Sequence, residues 1–233
     1  MIHAVLTIDD IPSKNTRDII DYLVSKKIQV IMFAVGSWGE DCRTNAVYAL
    51  QQGMIVGNHS FTHPHFSELS KEECIEEIEK NEEFLDKLYE EAGVERRFRP
   101  FRFPYGDKGG ENKEFLQNYL KDRKFNKVKD TDIDFPEWKE MGLDKDIDTF
   151  WTYDFREYQI RKGSGFTMDD AMTLIDTPLA PYKPLLEEDN RHHLLLLHAH
   201  DETEELVPGY YKTFIGKLLD GGVVFDRPEF FDA

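Results

Sequence analysis

Met54-Ile55-Val56-Gly57-Asn58-His59-Ser60-Phe61-Thr62-His63 carries an apolar run straight into two imidazoles four residues apart. A short apolar run bounded by polar residues reads as a buried strand. A His-x-x-x-His pair at the end of such a strand can close on one metal ion. Upstream, Val5-Leu6-Thr7-Ile8 is a second buried strand, and it ends in the adjacent carboxylates Asp9 and Asp10. Two histidines and a carboxylate form a common three-ligand catalytic zinc set that leaves positions open for water and substrate.

The same alternation runs outward in both directions. Strands are predicted at Ala4–Ile8, Gln29–Val35, Met54–Gly57, Arg99–Phe103, Thr149–Tyr153, Leu194–Leu197 and Val223–Phe225. Helices are predicted at Thr16–Lys26, Asn45–Gln52, Lys71–Ala92, Asn112–Arg123, Asp169–Ile175 and Leu206–Leu219. Ser70 with Glu73 is a capping box for the third helix. Apolar strands exchanging with helices imply parallel βα units, and this many units suits a barrel better than an open sheet. In parallel α/β folds active sites gather at the carboxyl ends of strands. Asp9-Asp10, His59, Arg102–Gly106, Asp154 and His198 all fall at those ends. The polar segment Phe125–Asp148 interrupts the rhythm and is expected to decorate one rim.

Composition bounds the function. A chain of 233 residues, with hydrophobic residues at 40% and charged residues at 32%, fits one globular domain spanning 1–233. The net charge of −17 argues against nucleic acid or an anionic membrane surface as partner. No stretch is long and apolar enough for a membrane span. Two cysteines, Cys42 and Cys74, give no disulfide framework. The opening Met1-Ile2-His3-Ala4-Val5 enters strand without a signal-peptide pattern. A cytoplasmic chain is therefore expected as written, or an exported one if a leader has been removed.

Five motifs then fall into line. Thr7-Ile8-Asp9-Asp10-Ile11, Asn58-His59-Ser60-Phe61-Thr62-His63-Pro64, Arg102-Phe103-Pro104-Tyr105-Gly106, Asp154-Phe155-Arg156-Glu157-Tyr158 and Leu196-Leu197-His198 follow one another in order. Together they resemble the polysaccharide deacetylase family, also described as the NodB-homology domain or carbohydrate esterase family four. The resemblance covers roughly residues 3–226. It implies an α/β fold, a distorted (β/α) barrel of about seven parallel strands, and metal-dependent removal of acetyl groups from N- or O-acetylated glycans.

The resemblance also implies roles. Asp10, His59 and His63 would hold a divalent cation, zinc first, with cobalt or nickel as substitutes. Asp9 would be the general base, and Arg102 would orient it. The Tyr105 backbone N–H would donate to the oxyanion. His198 would be the general acid, held by Asp154 or Glu157. Leu196 would line the niche for the acetyl methyl. His200 is the weaker choice for the acid, because His198 directly follows the apolar strand. Pro64 biases His63 away from α geometry.

Two departures from the family pattern carry expectations of their own. Ile11 replaces a glycine, so the loop is expected to take a different path with a bulkier rim. Glu157-Tyr158 replaces an Asp-Trp pair, which touches both the histidine partner and an aromatic wall. His3, His65, His192 and His193 read as surface or satisfied histidines, and Phe61, Phe101 and Phe103 as core. Trp38 and Trp138 could equally be sugar platforms or packed aromatics. Specificity is expected in the loops Gly36–Asn45, Asp107–Glu111 and Phe125–Asp148. Alternative functions are hydrolysis of a small non-glycan amide on the same fold, and glycan binding without catalysis.

Overall fold

The computed structural model describes residues 1–178, 183–187 and 191–232. Among the described residues six parallel strands form the sheet: β1 (His3–Ile11), β2 (Ile31–Ala34), β3 (Ile55–Asn58), β4 (Tyr153–Asp154), β5 (His192–His198) and β6 (Val224–Phe225). Their order is β3-β2-β1-β5-β4, with β6 beside the first residues of β1. Strands β1 and β5 run in unbroken register from His3 opposite His192 to Asp9 opposite His198. That register places a carboxylate and an imidazole side by side at the sheet's carboxyl edge.

As ladders the sheet is open, but single backbone bonds carry it further round. The Asn58 N–H donates to the Pro100 carbonyl (2.9 Å), and the Arg102 N–H returns to the Asn58 carbonyl (3.0 Å). The Thr149 N–H then bonds the Phe101 carbonyl at 2.7 Å, and Thr152 N–H bonds Leu194 at 2.8 Å. The fold is the distorted, parallel α/β arrangement expected from sequence, with six ladder strands among the described residues where about seven were expected and single bonds in place of a closing ladder. The run Arg99–Phe103 is reduced to one bridge, Phe101 opposite Asn58. Pro100 and Pro104 supply the reason, since proline has no N–H for a ladder.

Among the described residues eight α-helices accompany the strands: α1 (Thr16–Lys26), α2 (Gly39–Gln51), α3 (Lys71–Ala92), α4 (Lys113–Asp122), α5 (Pro136–Glu140), α6 (Met168–Ile175), α7 (Asp201–Leu206) and α8 (Tyr210–Asp220). The capping box of α3 is present, with Ser70 Oγ accepting from the Glu73 N–H. The helix expected at Leu206–Leu219 is instead two, α7 and α8. Pro208 has no N–H and Gly209 is left-handed at φ 75°, so the chain turns there.

Alternation separates the two faces of the sheet. Leu6, Ile8, Met32, Ala34, Leu195 and Leu197 pack in the large outer cluster with Ile19, Leu85 and Phe214 of the surrounding helices. The intervening Ile31, Phe33 and Leu194 form an inner cluster with Val128, Ile133, Trp138 and Leu143. The segment 125–148 is thus not a rim decoration. Its apolar side chains fill the inside of the barrel, and Trp138, 5% exposed, is a packed residue rather than a sugar platform. Its indole N–H donates to Asp130 at 2.9 Å, which satisfies the one polar atom that this burial would strand. With that end filled, the opposite mouth remains for chemistry.

Candidate active site

Backbone conformation first sets the mouth apart. Asp10, Ser60, His63, Tyr105 and Arg156 all have φ between 58° and 67°, a left-handed conformation that non-glycine residues rarely adopt. Each carries a cost of about 1 kcal/mol or more, and such residues concentrate at functional sites. Asp10 lies where the register between β1 and β2 slips, between Ile8 and Ile11. The bulge turns Asp10 into the mouth and returns Ile11 to the outer core. Ile11 is fully buried there, not on the rim, so its side chain takes the place of helix-facing packing rather than obstructing the cleft. His63 avoids right-handed α geometry as Pro64 requires, but by adopting the left-handed region.

The histidine loop is fastened from below. Asn58 Oδ1 accepts from Ser60 N–H and from Asn81 Nδ2, both at 2.8 Å, while its Nδ2 donates to Ile78 O and Glu82 Oε1. Glu77 on α3 accepts from the N–H groups of Phe61 (2.9 Å) and Thr62 (2.7 Å). Buried polar groups satisfied this fully hold one geometry.

Asp10, His59 and His63 converge. Asp10 Oδ1 lies 3.4 Å from His63 Nε2 and 3.8 Å from His59 Nε2. His59 Nδ1 is 2.8 Å from the Arg102 carbonyl, which accepts only, so Nδ1 carries the proton and Nε2 offers a lone pair to the mouth. Burial, reinforced by His59, pushes the His63 pKa down to about 4, keeping that ring neutral. Asp10 Oδ1 is buried without a hydrogen-bond donor among the described residues. A bare carboxylate oxygen between two imidazole lone pairs is an arrangement that a cation would satisfy. The residues present fit a divalent ion.

Asp9 sits beside this group with its Oδ2 3.4 Å from His59 Nε2. Burial raises its carboxyl, but the Arg102 guanidinium 2.7 Å away, together with His59 and His198, outweighs burial and holds the pKa below the usual carboxylate value. Arg102, 1% exposed, also donates to Thr7 Oγ1 and to the Thr149 and Phe150 carbonyls, and lies 4.5 Å from the Phe33 ring. It is the pin of the barrel's upper interior.

Across the mouth, His198 Nδ1 lies 3.0 Å from Glu157 Oε1, and Glu157 also accepts from the His198 N–H. Burial resists charge on this ring. Glu157 outweighs it, with Asp10 and Asp9 adding to the effect, and the pKa rises to about 10. Of the two acids left open by the sequence, Glu157 is the one bonded to His198. Left-handed Arg156 turns the chain so that Glu157 points beneath the imidazole, while Asp154 Oδ1 accepts from the Arg156 N–H at 2.8 Å. Asp154 remains in the cleft, its pKa raised by burial. His200 also lines the cleft, but its Nδ1 caps α7 through Thr203.

These groups surround a cleft of about 360 Å³. Leu196 lies on its wall with Tyr158, whose ring is 4.7 Å from His198. Tyr105 is 60% exposed at the lip, and Trp38 is 43% exposed with its ring 5.4 Å from His63. His65 stacks on Tyr105 at 4.0 Å, a satisfied surface histidine outside the Asp10, His59 and His63 group. Trp151 and Arg161 also line the cleft. Sequence reasoning passed over both. Trp151 lies within the predicted strand Thr149–Tyr153, where an aromatic reads as packing, and Arg161 carried no signal.

Comparison with known proteins bears on the family and the fold. The family model described as polysaccharide deacetylase matches residues 2–122, just over half of the chain. A peptidoglycan-N-acetylglucosamine deacetylase from Bacillus cereus is 30% identical over 145 residues, which is 60% of this chain and 48% of that protein. The peptidoglycan-N-acetylmuramic acid deacetylase PdaC from Bacillus subtilis is 30% identical over 146 residues, 61% of this chain and 28% of that protein. The matched part thus spans half or less of either relative. Among solved structures, the Bc1960 peptidoglycan N-acetylglucosamine deacetylase superposes with a TM-score of 0.65 at 18% identity, over 97% of this chain and 85% of that one. That likeness is one of fold.

Proposed function

This chain belongs to the polysaccharide deacetylase family, and on that premise we propose that its cleft hydrolyses the acetamide of an N-acetylated glycan, releasing acetate and a free amine. The observation that carries the reading is the bare Asp10 Oδ1 between His59 and His63, set between an ionised Asp9 and a charged His198. A hydrolytic site needs these three elements within reach of one carbonyl.

Asp10, His59 and His63 would hold the divalent ion, with zinc the first choice for this donor set. When bound, such an ion lowers the pKa of water and polarises a carbonyl. The remaining work falls to the chain itself. Asp9 accepts the proton of the attacking water through Oδ2, while Oδ1 stays bonded to Arg102. The Arg102 charge keeps Asp9 ionised and ready to accept. The Tyr105 N–H donates to the carbonyl oxygen as negative charge develops there. His198, protonated across neutral pH and steadied by Glu157, delivers its proton to the departing nitrogen. Leu196 packs against the acetyl methyl.

The substrate class follows from the relatives, both of which act on peptidoglycan amino sugars by name. The test is acetate release from N-acetylglucosamine oligomers and peptidoglycan fragments. Release is expected to stop on chelation and return with added zinc. Acetate release that survives complete chelation, or none from either substrate with zinc present, would overturn the proposal.

A further inference from the structure

Arg161 is the only lysine or arginine that lines the cleft among the described residues. Exposed arginines are ordinarily mobile, but this one is held in place. Its Nε donates to the Tyr158 carbonyl at 2.7 Å. Its backbone is tied into a tight turn, with the Arg161 N–H on Ser164 Oγ and Ser164 Oγ returning to the Arg161 carbonyl. The next N–H, of Lys162, is fixed to Glu202 Oε1 on α7 at 3.0 Å. Left-handed Gly163 (φ 81°) and Gly165 (φ 75°) make that turn possible.

The two terminal nitrogens have no such commitment. No carboxylate pairs with the Arg161 guanidinium among the described residues. By contrast Arg43, Arg96, Arg97, Arg99 and Arg123 each have an acidic partner in this strongly acidic chain. A guanidinium anchored through Nε presents the paired N–H edge that matches a carboxylate. Its neighbour Tyr158 touches His198, so a group held by Arg161 would sit on the leaving-group side of the cleft.

We infer that Arg161 selects glycans bearing a carboxylate next to the acetylated sugar over neutral glycans. The inference rests on the deacetylase reading of this cleft and narrows its substrate. Arg161 supplies that selection as a single fixed guanidinium within a chain of net charge −17.

The test uses one N-acetylated oligomer carrying a free carboxylate and the same oligomer with that carboxylate reduced to the alcohol. Wild-type kcat/KM on the carboxylated form is expected to be about ten-fold or more the higher. Arg161→Gln should erase the difference, mainly by raising KM for the carboxylated form. Arg161→Lys should keep part of it. Calorimetric binding of both oligomers to the metal-free chain should show the same Arg161-dependent preference. Equal turnover of the two forms by the wild type, or a preference that survives Arg161→Gln, overturns the inference while leaving a deacetylase. Arg161-dependent binding with no acetate from either form supports the carboxylate site and overturns the deacetylase reading instead.

Discussion

His193 and His198 stand at opposite ends of β5, share a strand and a residue type, and are both largely buried, yet their chemistry is opposite. At the amino end, burial, with Arg191 and His192 nearby, pushes the His193 pKa down to about 4, and its Nδ1 lies 3.0 Å from Thr152 Oγ1. At the carboxyl end Glu157 drives His198 up to about 10. Desolvation acts on both rings in the same direction, so the partner decides. The filled end of the barrel uses a hydroxyl and keeps a neutral ring. The open mouth uses a buried carboxylate and keeps a charge.

The strongest way to break the contrast is to remove the mouth's proton acceptor. Asp9→Asn should lower kcat/KM for acetate release by roughly 10²–10⁴-fold, counted per folded molecule because Arg102 loses its ionic partner. His193→Gln, at the other end, should leave kcat/KM within about two-fold. If His193→Gln matched Asp9→Asn, the two ends would not be functionally distinct.

The filled end answers with stability instead. Trp138 packs among Ile31, Phe33 and Leu194, so Trp138→Ala should cost about 3–5 kcal/mol of unfolding free energy. The surviving folded protein should release acetate at the wild-type rate. Denaturant titration and activity on the same sample separate the two effects. A fall in kcat without a fall in stability would place Trp138 in the chemistry, against its packed position.

What was legible in the sequence follows this same division. Asp9, Asp10, His59, His63, Arg102 and His198 could be read because each ends an apolar strand, where a polar residue has no packing role to explain it. The filling of the barrel was hidden, since Val128, Ile133, Trp138 and Leu143 keep no strand or helix period within a polar segment. Ile11 misled because a β-bulge, invisible to motif matching, puts Asp10 in the left-handed region and turns Ile11 into the core. Asp154 and Glu157 were inseparable by type; only the left-handed Arg156 between them decides which reaches His198. The break at Pro208-Gly209 was readable as a turn signal and was overridden by the apolar period on either side.

Glu157→Gln sharpens the contrast within the mouth. Without the carboxylate, the largest influence raising His198 is gone, so its pKa falls and the alkaline limb of the kcat/KM profile moves to lower pH. Near pH 8 the loss should be on the order of ten-fold. An unmoved limb here, together with a shift in Asp154→Asn, would transfer the role to Asp154.

The smallest expected effect is a pair of opposite slopes in stability against pH, measured in chelator so that no ion competes with the proton. His198 has a folded pKa of about 10, above its ordinary 6.5. Its contribution is therefore complete below pH 6.5 and is lost as pH rises through about 10. His193 has a folded pKa of about 4, below 6.5. The folded state favours its neutral form, so its contribution is complete above pH 6.5 and is lost as pH falls towards 4. His198→Gln should flatten the alkaline decline in the denaturation midpoint, and His193→Gln the acid decline, each leaving the other limb in place. Two histidines of one strand would then be shown to bind protons with opposite sign on folding. A common slope for both variants would mean that the Glu157 carboxylate does not govern its neighbour, and the general-acid role of His198 would lose its support.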